Sequence, residues 1–514
     1  MSTPISSYSS TFGFPILTVL VLLPAIAGAV VAVLPKRFGS VARSIAMSTS
    51  LGTLGLAVAM LVSFKSNTPG YQFFAKHLWV ANFGISWELG VDGISLFLVV
   101  LTALVFPIVI GGSGVSTPEG LKSYMSWMLL LEGACMGCFL SLDIFVFFLF
   151  FEATLVPAYF LISRWGTGRR AFAATKFFLY TFLGSVFFFV AILIVAFDAK
   201  ASTGHLSFDL ITLSSGHFLS SGAAKWLFLA FTLAFAVKAP IFPFHTWSPD
   251  AYSSAPAGGS VVLAGVMAKL GTYGIIRFDL SLFPQAASVL APLLLTLGVS
   301  GILYGAIVAA VQKDLKKVVA YSSLSHIGFI IMGLFAMSPQ GLDGAVLQMI
   351  NHGIIVAGLF LLIAMIARRR GTWNLTELSG LQKAAPVLAG VFTLVMLASV
   401  GLPGLNGFIG EFLILLGTFI THRWWAVVAG GGVILSVVYM LWAYQQAFHS
   451  KPQGDNAKVS DMALKEKLVM APLIILIVFI GIYPKPILDR VTPTVNSLVH
   501  QVRTASHQPS EESR

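Results

Sequence analysis

Apolar run length constrains this chain more than any other feature. Fourteen segments each hold roughly 20 predominantly apolar residues, the length a helix needs to cross a hydrocarbon core. They lie near 14–34, 42–64, 94–113, 124–142, 143–163, 174–197, 224–247, 256–276, 287–310, 319–337, 343–367, 386–420, 424–446 and 468–488. Inside a bilayer no water satisfies backbone groups, so such segments must be helices. Only 10% of residues are charged and the mean hydropathy is +0.89, whereas a soluble domain carries about 25% charged residues. The fold class follows: an all-α polytopic membrane protein of about 14 transmembrane helices. The fourth segment meets the fifth through Ser141, Leu142 and Asp143, which demands a tight turn. The opening MSTPISSYSS lacks the basic stretch of a signal peptide, so the first span is expected to be retained.

A net charge of +11 would suit nucleic acid, but its distribution points to a membrane. Of the 31 Lys and Arg, nineteen fall in the loops after odd-numbered spans. Among them are Arg37, Arg43, Arg164, Arg169, Arg170, Lys313, Lys316, Lys317 and Arg368 to Arg370. Ten lie on the opposite side, and Lys238 and Lys269 lie within spans. The positive-inside rule then puts both termini on the external face. Cys135 and Cys138, in CMGC, read as small core residues of the fourth span, since a metal site needs more ligands. Without a second cysteine cluster, a Cys-ligated iron–sulfur centre is excluded. The chain also lacks a Walker A motif and a GxGxxG opening a βαβ unit, so the energy for any work comes from elsewhere.

An ionisable group at membrane depth is costly and marks a functional site by default. Those well inside spans are Glu132 (fourth), Glu152 (fifth), Lys238 (seventh), Lys269 (eighth), His326 (tenth), His352 (eleventh) and Glu411 (twelfth). The competing reading is polar glue between helices. Asp92 and Asp143 read as helix caps at the interface. The stretch AFAVKAPIFPFHTWS at 234–248 sets Lys238 beside Pro240 and Pro243, with His245 just beyond. Proline removes a donor and clashes with the preceding turn, so the seventh helix breaks there. Gly401, Pro403 and Gly404 interrupt the twelfth. Broken helices are tolerated only where protein or a wet cavity surrounds them, and a pair of them in two halves points to a transport site.

The spacing repeats. Glu152 precedes Lys238 by 86 residues, and His326 precedes Glu411 by 85. The offset is five spans, and an odd offset makes the second copy enter from the opposite face. Two inverted five-helix repeats follow, spans 4–8 and 9–13. The expected division is 1–123, three N-terminal helices; 124–280, the first repeat; 281–446, the second repeat; and 447–514, the last helix and a polar tail.

Four blocks carry a family resemblance: KAPIFPFHTWSPDAYSSAPAGGSVVLAGVMAKLGTYGIIRF at 238–278, QKDLKKVVAYSSLSHIGF at 312–329, NHGIIVAGLF at 351–360 and GLPGLNGFIGEF at 401–412. The chain resembles the antiporter-like, proton-pumping subunits of respiratory complex I, a family shared with multisubunit sodium/proton antiporters and membrane-bound hydrogenases. In the family pattern the twelfth-span position is usually lysine in L and N subunits and glutamate in M subunits. Glu411, the LDIFVFFLFFEATLVPAYF stretch and the lack of a long lateral helix resemble the M type. Tyr252 and Ser254 stand where the family usually has histidine and glutamate. The resemblance implies two proton half-channels, a Glu152–Lys238 pair, and a polar axis through Lys269, His326 and His352 to Glu411. Glu132 and His245 are secondary candidates. It also implies no cofactor in this chain, with FMN, iron–sulfur clusters and quinone used elsewhere in a parent NADH:quinone oxidoreductase. L-type and N-type neighbours and a bacterial inner membrane complete the expectation. The alternatives are a sodium/proton antiporter subunit, a haem- or quinone-reducing subunit and a structural spacer. His326 and His352 lie on different spans with no repeated histidine pair to hold haem, and a spacer gains nothing from buried lysines.

Overall fold

The computed structural model describes residues 12–113, 120–216 and 220–506. The first crossings are α1 (Ile16–Val33), α2 (Gly39–Ser63), α3 (Gly93–Ser113) and α4 (Leu121–Leu140). A bent crossing follows, α5 (Ile144–Ala153) with α6 (Leu155–Trp165), then α7 (Arg170–Thr203), the short α8 (Leu210–Ser215) and α9 (Ser221–Lys238). The next crossing joins α10 (Ser248–Ser254) to α11 (Ala257–Val262), α12 (Ala268–Gly274) and α13 (Leu280–Leu282). After it come α14 (Pro284–Ala310), α15 (Leu315–Phe335) and α16 (Pro339–Arg370). Last are α17 (Leu381–Ala384), α18 (Pro386–Ser399), α19 (Asn406–Thr421), α20 (Arg423–Phe448), α21 (Leu464–Ile482) and α22 (Lys485–Ser506). Twelve of these crossings are long and apolar enough to span a membrane alone. The pair α21 and α22, bent by 69°, gives up to thirteen among the described residues, and the segment expected as the twelfth span holds two shorter apolar helices, α18 and α19.

Each break has a local cause. Pro157 cannot donate to the carbonyl four residues back, so α5 stops at Ala153, and the Thr154 hydroxyl turns to Phe151 O at 2.7 Å. Pro240 ends α9 at Lys238 in the same way. The freed carbonyls find other donors: Ala236 O accepts from Ile241 N at 2.8 Å, and Val237 O from Trp247 Nε1 at 2.8 Å. Between α18 and α19 the chain turns through Gly401 (φ 74°) and Gly404 (φ 92°), a left-handed region that glycine enters without steric cost. Two π-helical turns, Leu263–Met267 and Ile275–Asp279, flank α12, and such turns often mark functional sites. The middle of the α11–α13 segment is fully buried and α15 and α16 nearly so, whereas most of α2 and α7 is left uncovered by the rest of the chain.

Two elements escape a reading by apolar run length. Between α2 and α3, β1 (Gln72–Val80) and β2 (Ile85–Val91) form an antiparallel hairpin. Residues 489–514, expected as a polar tail, hold most of α22. Its Ile487, Val491, Val495, Leu498, Val499 and Val502 are buried. Those positions recur at helical spacing, so one face is apolar while the mean hydropathy stays too low to span. The helix lies across the ends of α3, α14 and α16. On the opposite face the arginine-rich loops are pinned: Arg369 bonds Glu466 and Ser460 O, and Asp461 caps α18 through Val387 and Leu388 N.

Two predictions follow from packing and charge. At Gly344 on α16 a Cβ would meet Ile414 N at 2.7 Å and Leu413 Cβ at 2.8 Å on α19. Gly344→Val is expected to cost about 1–3 kcal/mol in overpacking, read as a lower thermal unfolding midpoint. Gly390→Ala, with open space around it, leaves the midpoint unchanged or higher. In the hairpin, buried Glu88 shares Lys76 (3.0 Å) with Asp209 (2.6 Å). Burial and the Asp209 charge push its carboxyl up to about 7, against the pull of Lys76. A raised carboxyl contributes stability that is complete below its unfolded value and lost as pH rises to about 7. Hydrogen exchange of the β1–β2 amides, corrected for intrinsic rate, should show less protection at pH 8 than at pH 5. Glu88→Gln should flatten that dependence.

Candidate functional site

The first cluster forms where α9 breaks. Lys238 is 2% exposed. Its Nζ donates to Phe151 O at 3.0 Å and to Thr154 Oγ1 at 2.8 Å, and sits 4.3 Å from the centre of the Phe151 ring. The partners therefore come from the α5–α6 bend. Glu152 on the same bend is within Coulombic reach of Lys238 but makes no ion pair with it within 4.0 Å, and its Oε1 has no hydrogen-bond partner. An ammonium in a membrane interior needs compensating dipoles and charge. Here a carbonyl, a hydroxyl and a ring face supply the contacts, and the carboxylate adds a longer-range field.

The second cluster crosses four helices. On α12, Lys269 Nζ donates to Ala264 O at 2.7 Å and lies 2.5 Å from His352 Nδ1 on α16. Ala264 O faces it from the first π-helical turn. The His352 and His326 rings are 5.4 Å apart, centre to centre. His326 Nδ1, on α15, is 2.9 Å from Glu411 Oε1 on α19. All four residues are at most 5% exposed. The Nε2 atoms of both histidines lack partners. Glu411 Oε1 also accepts from Gln348 Nε2 at 3.3 Å, and Gly401 is small enough to let Oε2 approach the break. Asn351 on α16 holds the start of α19 by donating to Asn406 O at 2.7 Å. The two clusters adjoin: Gly271, two residues from Lys269, packs on Phe235 O and Ala239 at the end of α9.

The fold thus joins Lys269, His352, His326 and Glu411 in one axis and sets Lys238 and Glu152 together at its side. Glu132 stands apart. It is buried on α4 and accepts from Ser50 Oγ of α2 at 2.5 Å. His245 packs between Phe242 and Tyr304 in the loop after α9. Tyr252 is fully buried against Trp247 and Phe360. Asp92 and Asp143 cap α3 and α5. Cys135 and Cys138 are buried free thiols, and no group of metal-ligating side chains occurs among the described residues. Thr154, Gln348 and Asn351 were not singled out in the sequence, and Lys316 was read there only as a loop charge. Gln348 lies four residues before His352, hence on the same helix face, a signal available to inspection. Lys316 is buried against Trp373 and donates to Ser253 O and Ala255 O.

Residues 141–438, which contain nearly all of this geometry, match the family described as NADH:quinone oxidoreductase/Mrp antiporter, TM. NADH-quinone oxidoreductase subunit M of Rhodobacter capsulatus is 40% identical over 501 residues, covering 94% of this chain and 96% of the relative. The subunit of the same name from Rickettsia prowazekii is 39% identical, covering 94% and 99%. Among solved structures, a chain of respiratory complex I from Thermus thermophilus superimposes with a TM-score of 0.86 at 32% identity, covering 95% and 99%. A chain of the Mrp complex from Dietzia sp. reaches 0.81 at 21% identity over 96% and 99%, a likeness of fold alone. The chain belongs to the transmembrane-subunit family of NADH:quinone oxidoreductases and Mrp antiporters.

Proposed function

We propose that this chain is a proton-translocating membrane-arm subunit of NADH:quinone oxidoreductase, carrying protons along the buried axis while quinone is reduced elsewhere in the complex. The observation that carries the reading is the contact chain from Lys269 through His352 and His326 to Glu411. Relatives at 37–40% identity named as subunit M support the redox-driven reading over a sodium/proton antiporter, since the Mrp chain is only 21% identical. FMN, iron–sulfur clusters and quinone belong to other subunits. L-type and N-type neighbours flank this chain in an inner membrane, with both termini external, and the inverted repeats 124–280 and 281–446 each supply a half-channel.

The donors along the axis point one way. An ammonium at Lys269 donates to His352 Nδ1, so the neutral ring keeps its proton on Nε2. A carboxylate at Glu411 accepts a hydrogen bond from the Nδ1–H of His326, so that ring presents Nε2 as an acceptor. As Lys269 passes its proton to His352 Nδ1, the His352 Nε2 proton moves to His326 Nε2 and the His326 Nδ1 proton passes to Glu411, so both rings end neutral. The switch lies at Lys238. Burial disfavours its charge and a nearby carboxylate favours it. Motion at the α5–α6 bend moves Glu152, Thr154 and the Phe151 carbonyl together relative to Lys238. The bend therefore sets whether that proton is held or passed toward Lys269.

The test uses inverted membrane vesicles, wild type against Lys238→Ala, with assembly checked and both NADH oxidation and proton uptake recorded. Oxidation and uptake are expected to fall together by about tenfold or more. Unchanged rates in cells that instead lose sodium tolerance would assign the chain to an antiporter.

A further inference from the structure

A third buried polar cluster closes the outer end of the α11–α13 segment. Tyr273 and Arg277 follow Lys269 at intervals of four, so the three share one helix face. Arg277 is 5% exposed and bonded on three sides. Nη2 donates to Asp92 Oδ2 at 2.8 Å, Nη1 to Tyr71 OH at 2.7 Å and Nε to Tyr273 OH at 3.1 Å. Tyr273 OH donates to Phe139 O at 3.0 Å, and Asp92 Oδ1 accepts from Ile94 N and Ser95 N. The Arg277 guanidinium lies 5.2 Å from both tyrosine rings. The axis differs: both histidine Nε2 atoms and Glu152 Oε1 are unpartnered, whereas no side-chain polar atom of Arg277, Tyr273 or Asp92 is. Outside the cluster a cavity of about 60 Å³ is lined by Tyr71, Asp92, Arg277, Ser281, Thr494 and Gln501. It reaches the guanidinium from the face lined by the residues flanking the hairpin, by α8 and by α22.

This arrangement is hazardous for a proton carrier. The Tyr273 hydroxyl, which both donates and accepts, stands one helical turn from Lys269, and a cavity of mixed polar and apolar lining lies beyond Arg277. Such a sequence would drain the Lys269 proton outward before it reached Glu411. We propose that Arg277 is the barrier against that short circuit, an inference that rests on the proton axis proposed above. A guanidinium does not lose a proton in a protein, so it cannot act as a relay. Its fixed positive charge repels an arriving proton, as charged constrictions exclude protons in selective pores. Asp92 holds the charge in place, and the tyrosine hydroxyls are kept occupied as its acceptors. Arg277 acts through position and charge and takes no part in transfer.

The test is passive proton conductance. Inverted vesicles holding the assembled complex receive a potassium diffusion potential without NADH, and proton flux is followed with a pH dye. The double variant R277Q/D92N keeps hydrogen-bonding groups in place but removes the charges. Its flux is expected to rise roughly tenfold or more over wild type, and proton uptake per NADH to fall while oxidation continues. Arg277→Lys keeps a charge but places it on a group that can release its proton, so its flux is expected to rise, though less than that of R277Q/D92N. Adding Lys269→Ala to R277Q/D92N removes the inner end of the leak and restores wild-type flux. If the double variant fails to assemble, R277Q alone carries the same expectation, since Asp92 keeps its backbone donors. An assembled R277Q/D92N or R277Q complex with wild-type flux and coupling overturns the proposal. So does a leak that survives Lys269→Ala, which would mean loosened packing. Lys269→Ala alone separates the two claims: if it leaves pumping intact, the axis fails whatever the leak result.

Discussion

The rest of the structure is organised around the cost of placing charge where there is no water. An unpaired ammonium or carboxylate at membrane depth costs several kcal/mol or recruits partners. Each buried charged group of the central helices has recruited them differently. Lys238 takes a carbonyl, a hydroxyl and a ring; Lys269 takes a carbonyl and an imidazole; Glu411 takes an imidazole and an amide. Arg277 takes a carboxylate and two phenols. The first three stand beside groups with unpartnered atoms, Glu152 Oε1 and the two histidine Nε2 atoms. Each side-chain nitrogen of Arg277 has a partner, and a guanidinium does not release its proton.

The helix breaks serve the same end. A continuous helix keeps its carbonyls for itself, so a lysine beside it finds none. The bend at Thr154 releases Phe151 O toward Lys238, and the π-helical turn before Lys269 turns Ala264 O to its ammonium. Gly401 and Gly404 let α18 and α19 part so that Glu411 and Asn406 meet α16 from the gap. Close helix approach supports these breaks. Gly271 sets α12 directly against α9, and Gly344 and Gly410 set α16 against α19.

Much of this was legible in the sequence because membranes simplify the code. Run length placed the crossings, and a charge in an oily segment is conspicuous by itself. The prolines at 240 and 243 and the glycines at 401 and 404 announced the breaks. What escaped followed other rules. The amphipathic α22 is invisible to run length, since its buried residues recur every three or four positions within a polar stretch. The short β1–β2 hairpin carries no long apolar run. Thr154 and Gln348 are neutral and common, so their importance comes from what the fold sets beside them. The expected Glu152–Lys238 pairing names the right neighbours, but sequence spacing cannot tell an ion pair from a carboxylate that stands back while a backbone carbonyl makes the contact.

The central claim is that a proton passes between the two histidine rings. The most direct measurement is the number of protons taken up per NADH oxidised in inverted vesicles holding an assembled His352→Leu complex. That change cuts the axis midway and leaves Lys238 and Glu411 in place. The account predicts that proton uptake per NADH falls, or that uptake and oxidation fail together. An unchanged ratio at an unchanged rate would contradict it and send the proton path elsewhere.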